Sequence, residues 1–229
     1  MLTQLRYLEG STDLSILQAL AKQLKHPAAQ ALQSPFVHYV ANDPQKAIRH
    51  FQALREAFPD LLGLAVFDQY GRSLPDERGG IDMLMWGRRE LENYITTPEV
   101  LRRYAVSGLN DDLFGLAQRQ QRLEVMERVL SDQVPPVALR DPQNSYWVRT
   151  KISDQLLDPL FEAYFAALGL PNTFPKSDHH LLAGHLLPDE IAPEVVQALD
   201  RIAKTAAQAQ LSVLPTADED HEDDGEDAP

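Results

Sequence analysis

The run Leu61-Leu62-Gly63-Leu64-Ala65-Val66-Phe67, closed by Asp68, is the strongest constraint on the fold. It offers no polar face to water, so it has to be covered on both sides. Such coverage suits a central strand of a parallel sheet, and parallel strands need helical crossovers. The residues upstream supply them. Leu2 and Leu5 to Leu8 read as a first buried strand. Gly10 permits a tight turn, and Ser11, Thr12 and Asp13 offer N-cap oxygens. Leu14, Ile16, Leu17, Leu20 and Leu24 then carry a helical apolar stripe. The β-branched and aromatic stretch from Pro35 to Ala41 reads as a second strand. Asn42-Asp43-Pro44 starts a helix with Pro at its first position, and Ala47, Ile48, Phe51, Leu54 and Phe58 line one face up to Pro59. Strand, helix, strand, helix, strand predicts an α/β protein built on a small parallel, doubly wound sheet.

The rest of the chain reads as helical. A polar loop follows Asp68, and Met83-Leu84-Met85-Trp86 fits one more short strand. Thr97-Pro98-Glu99 opens a helix with Val100, Leu101, Tyr104 and Ala105 inside. Apolar spacing predicts further helices over Asp111–Leu130, Asp154–Leu168 and from Pro193 towards Leu211. The expected organisation is an α/β domain over 1–95, a helical C-terminal region packed on it over 96–214, and a tail over 215–229. Eight of the ten residues from Asp218 to Asp227 are acidic, and a segment that cannot bury a core is expected to be disordered.

Composition narrows the function classes. With 34 acidic against 21 basic side chains the formal charge is −13, which disfavours strong autonomous binding to nucleic acid phosphates. The absence of cysteine rules out a disulfide framework and fits a reducing, cytoplasmic setting. No run of roughly 18 apolar residues marks a membrane span.

Chemistry is expected where strands end. Glu9 follows the first strand, Asp13 opens the next helix and Asp68 ends the third strand. In open α/β sheets ligands bind outside the carboxyl ends of the strands. Neighbouring strands lie about 4.8 Å apart, so these acids can share one or two metals. An oxygen-only donor set suits Mg²⁺ or Mn²⁺ rather than zinc. His179, His180 and His185 lack the i, i+4 spacing of a helical zinc pair. Arg88 and Arg89 could touch phosphate or pair with Glu90 and Glu92, the second being the commoner role, and Lys176 next to Asp178 also fits a surface lysine.

Glu9-Gly10-Ser11-Thr12-Asp13 before a helix, with an apolar strand ending at Asp68, resembles a Toprim domain. Trp86-Gly87-Arg88-Arg89-Glu90-Leu91-Glu92-Asn93-Tyr94 resembles the W-x-R-R-E-I-E-N-Y segment of OLD-family (overcoming lysogenization defect) Toprim regions. Asp158-Pro159-Leu160-Phe161 and Lys176-Ser177-Asp178 are similar to their helical C-terminal part. The resemblance covers roughly residues 3 to 210. It implies a Mg²⁺- or Mn²⁺-dependent DNA endonuclease of the kind found in phage defence, joined to an ABC-type ATPase half. Glu9 would be a metal ligand or general base, Asp13, Asp68 and Glu92 metal ligands, and Lys176 a catalytic group stabilising phosphate charge. Two departures stand out. Tyr70 replaces the second acid of the family's Asp-x-Asp, and no Gly-x-x-x-x-Gly-Lys-[Ser/Thr] occurs. The alternative expectation is therefore a catalytically weakened Toprim-like module that regulates or scaffolds a partner. The chain is then expected to be a detached piece, a natural stand-alone subunit or the product of a split gene, with an ABC-type ATPase as a possible partner. Oligomeric state is not readable from these residues.

Overall fold

The computed structural model describes residues 3–69, 71, 73–76 and 78–211. Expectations for Leu2, Tyr70 and the acidic tail over 215–229 lie outside the described residues. The order is β1 (Gln4–Leu8), α1 (Ser11–Gln23), α2 (Ala28–Ala31), β2 (Val37–Tyr39), α3 (Pro44–Ala57), β3 (Leu62–Phe67) and β4 (Asp82–Met85). A 3₁₀ turn over Leu91–Tyr94 leads into α4 (Pro98–Val106), α5 (Leu113–Gln133), α6 (Pro136–Arg140) and α7 (Ser145–Arg149). A π turn over Ser153–Leu157 then runs into α8 (Asp158–Ala167), 3₁₀ turns over Lys176–His185 and Pro188–Glu190, and α9 (Pro193–Leu211). The protein is α/β: four parallel strands in the order β2-β1-β3-β4, flanked by helices, with a helical C-terminal region. Among the described residues no helix is long and apolar enough to cross a membrane.

Strand alternation divides the core between the two faces of the sheet. Leu5 and Tyr7 of β1, Ala65 and Phe67 of β3 and Met83 of β4 pack against Ala47, Ile48 and Phe51 of α3. Leu8, Leu64 and Val66 point the other way, into a core with Ile16, Leu17 and Leu20 of α1 and Val195, Leu199 and Ile202 of α9. That second core continues without a break into Leu101 of α4, Met126 of α5 and Phe161 of α8.

Two elements depart from the sequence reading. β2 keeps only three residues of the expected Pro35–Ala41 strand, because Ala41 and Asn42 turn into the left-handed region at φ +50° and +59°. The expected single helix over Asp154–Leu168 begins instead as a wide π turn, in which Asp158 N–H donates to Ser153 O. Pro159 explains this: it has no N–H, and its ring collides with the carbonyl four residues back in a regular helix. Widening the preceding turn removes the collision.

Gly63 lets α3 approach the sheet. A β-carbon there would lie 2.6 and 2.8 Å from carbons of the Phe51 ring and 3.0 Å from Ile81 Cγ1. Phe51 is fully buried and has nowhere to swing. We expect Gly63→Ala to lose about 1–3 kcal/mol in urea unfolding, the usual cost of overpacking. Adding Phe51→Leu should make the pair cost less than the sum of the two single changes. Full additivity would show that Phe51 is not what Gly63 accommodates.

Candidate functional site

The chain leaves β1 in one direction to reach β2, then returns through α3 to β3 on the other side of β1. The strand order therefore reverses between β1 and β3, and the carboxyl ends of those strands form the switch-point crevice. Glu9 and Asp68 are the first residues past these two ends. The parallel register pairs Tyr7 with Ala65, which carries Glu9 to within one residue of Asp68 across the strands.

Local devices hold each acid. Asp13 sits in the first turn of α1, and its Oδ2 accepts from the backbone N–H of Glu9 at 2.9 Å and of Gly10 at 3.4 Å. This is the carboxylate half of a capping box, and it fixes the β1–α1 turn. Asn42 clamps the end of β3: its Oδ1 accepts from Asp68 N–H at 2.9 Å and its Nδ2 donates to Asp68 O at 3.4 Å. Asn tolerates the left-handed backbone this needs better than most residues.

The third contribution comes from outside the sheet. Asn93, fully buried in the 3₁₀ turn, accepts from Glu90 N–H at 3.0 Å and donates to Trp147 O and Thr150 O at 2.9 and 3.0 Å. The turn is thereby pinned to α7, with Glu90 and Glu92 buried beneath it. The Glu90 carboxylate accepts from Ser153 N–H at 2.5 Å and Ser153 Oγ at 3.1 Å. Arg88 and Arg89 do not pair with these acids, against expectation. Arg88 lies over the Tyr94 ring and donates to Asn93 O, and Arg89 donates to Gln69 O. Both guanidiniums are spent on backbone carbonyls that hold the segment in place.

Glu9, Asp13, Asp68, Glu92 and Lys176, the residues singled out from sequence, all line one cavity of about 200 Å³. Glu90, Lys151 and Ser153 line it too and were missed. Lys151 and Lys176 both donate to Asp154, whose carboxyl they hold down at about 2. Lys176 therefore pairs with Asp154 rather than standing beside Asp178 as a free surface lysine.

Crowded acids resist ionisation together. Burial, then the charge of Glu9, pushes Asp13 up to about 6, although the Gly10 and Glu9 N–H groups oppose it. Burial, then Glu90 and Asp13, pushes Glu92 up to about 8. Burial and a hydrogen bond to the Glu9 carboxylate hold Asp68 far above the ordinary carboxylate range. Glu90 is raised by burial, against the pull of Ser153, Lys151 and Lys176. The oxygen-only donor set matches a hard divalent cation in chemistry. As arranged, no group of three His, Asp or Glu among the described residues is set to hold one metal ion. His179 is not part of this cavity. It is fully buried against Phe174, with Nε2 3.3 Å from Asp158 Oδ1 but outside hydrogen-bond geometry and Nδ1 without a partner.

The chain matches no protein-family model, no curated protein and no solved structure.

Raised carboxyl values set the sign of a pH dependence. Between the ordinary value near 4 and the folded value near 8, the folded protein keeps a proton on Glu92 that the unfolded chain has lost. Stability should therefore fall as pH rises from 5 to 8. We expect Glu92→Gln to flatten this slope. It should exceed wild type at pH 8 by an amount on the order of 1–3 kcal/mol, since one pKa unit corresponds to about 1.4 kcal/mol. Urea unfolding at pH 5 and pH 8 measures both. A wild-type stability that is level across this range would contradict the buried-acid account.

Proposed function

We propose that the protein is a Mg²⁺- or Mn²⁺-dependent phosphodiesterase acting on DNA, a nuclease of the OLD-family Toprim type. The observation that carries this reading is the meeting of Glu9, Asp13, Asp68 and Glu92 with two lysines in one cavity at the sheet's switch point. Acids packed this closely are relieved either by protons or by a cation, and the lysines offer the charge that a phosphate needs.

Glu9, Asp13, Asp68 and Glu92 would hold the metal. Once bound, it would neutralise charge on the phosphodiester and make a water more acidic. Glu9, at the end of β1, is placed to take that water's proton. Lys151 and Lys176 would pair with non-bridging phosphate oxygens. Asp154 positions them by holding both ammonium groups on one wall. Gly10 and Glu9 N–H groups keep Asp13 aimed inward while its charge state changes. The acidic surface of the chain makes a basic partner useful for holding DNA. An ABC-type ATPase is the partner that the sequence resemblance supports.

The second reading, a catalytically weakened module that regulates or scaffolds a partner, is favoured by one observation. No three acids are set for a metal among the described residues. Tyr70, where the resemblance calls for an acid, lies outside those residues.

Plasmid nicking with Mg²⁺ or Mn²⁺ separates the two. We expect metal-dependent nicking by wild type and a loss of at least about a hundredfold in Glu9→Gln, the scale of a lost acid–base group. Mn²⁺ should also raise the unfolding midpoint of wild type by mass action, and Glu9→Gln should lose that gain. No nicking by wild type, with activity appearing in Tyr70→Asp, would establish the weakened-module reading. No nicking and no stabilisation by metal in either would overturn the phosphodiesterase reading.

A further inference from the structure

A second cavity, of about 370 Å³, lies away from the acid cluster, between α4, α5 and α8. Its apolar walls are Phe165, Leu168, Leu170 and Pro171, and its polar lining includes Tyr104, Tyr164 and Arg122, with Ser107 and Thr173. The neighbouring ion pairs leave Arg122 out. Arg102 takes Glu99 and Glu127, at 3.0 and 2.5 Å. Arg119 takes Asp111 at 2.9 Å, and Glu124 accepts from Gln120 at 2.9 Å. Arg122 makes no ion pair and no hydrogen bond among the described residues. Tyr104 Oη likewise has no hydrogen-bond partner there, and Tyr164 Oη has only a long 3.5 Å contact to Ala105 O.

We infer that this cavity binds a small organic carboxylate, with the Arg122 guanidinium and the Tyr104 and Tyr164 hydroxyls on the carboxylate and the apolar walls on a short aromatic or aliphatic body. A planar guanidinium matches a carboxylate with two parallel N–H donors. Burial, with Tyr164 and Asp178 nearby, raises the Tyr104 phenol to about 12, so it stays protonated as a donor at neutral pH. A single guanidinium flanked by neutral phenols balances one negative charge, which favours a carboxylate over a phosphate dianion. The volume lies near the low end of the range of about 300–1,000 Å³ found for ligand pockets, which limits the body to about one ring. A mostly apolar lining with a few convergent polar groups is the usual composition of such sites.

The test is titration calorimetry of the full chain with phenylacetate, beside 2-phenylethanol and phenyl phosphate. We expect saturable phenylacetate binding and at least about tenfold weaker binding of the uncharged alcohol, the scale of a lost charged hydrogen bond. Arg122→Gln should weaken phenylacetate at least about tenfold, and Arg122→Lys, which keeps the charge without the fork, should fall between. Tyr104→Phe should weaken it by a smaller factor. Arg122 is half-buried at the cavity and unpaired, so these variants should fold; unchanged urea unfolding checks this. No saturation up to about 20 mM phenylacetate, far weaker than a millimolar site, would overturn the inference. So would equal binding by wild type and a folded Arg122→Gln, or tighter binding of phenyl phosphate than of phenylacetate.

Discussion

The parallel pairing of β1 with β3 is the constraint on which the crevice depends. With the two strands adjacent and Tyr7 registered on Ala65, Glu9 falls within one residue of Asp68 across strands that lie about 4.8 Å apart. Both faces of that ladder are sealed, by α3 on one side and by α1 and α9 on the other. Burial and mutual repulsion raise Asp13, Asp68 and Glu92 above the ordinary carboxylate range.

The sheet half of the crevice was legible because its causes are local. An apolar run demands two covers, an N-cap aspartate marks a helix start, and a strand-end acid sits where a parallel sheet opens. Glu9, Asp13 and Asp68 follow from those facts, and Glu92 and Lys176 followed from resemblance to a known pattern. Glu90, Ser153 and Lys151 were not legible. Glu90 faces inward because Asn93 ties its turn to the carbonyls of Trp147 and Thr150, more than fifty residues away. No periodicity records such a contact. The arginines show the same limit. In sequence they invite pairing with the adjacent glutamates, yet buried carbonyls of Asn93 and Gln69 need donors more, and the guanidiniums go there. Asn42 is a further case. Its left-handed backbone ends β2 early and turns the side chain onto the backbone of Asp68, a role that strand propensity hides.

The helical region adds to this site what the sheet cannot provide. A parallel sheet delivers acids at strand ends, but the cations here come from Lys151, just before the π turn, and Lys176, just after α8. Ser153 N–H lies in the first turn of this helical segment, where no helical carbonyl precedes it, and is available to Glu90, while neighbouring Asp154 reaches both lysines. One helix start thus joins the buried acids to the basic wall.

The two walls of the cavity differ in how firmly they are held. The acids are held by backbone N–H groups and by burial. Among the described residues the lysines are tied only by Asp154, and all three side chains are roughly two-fifths exposed. Exposed ion pairs contribute little net free energy, so a multiply charged oxyanion arriving at the cavity can take the ammonium groups from Asp154 at small cost. The acid wall cannot yield in that way. An anion approaching it meets rigid negative charge unless protons or cations neutralise it first.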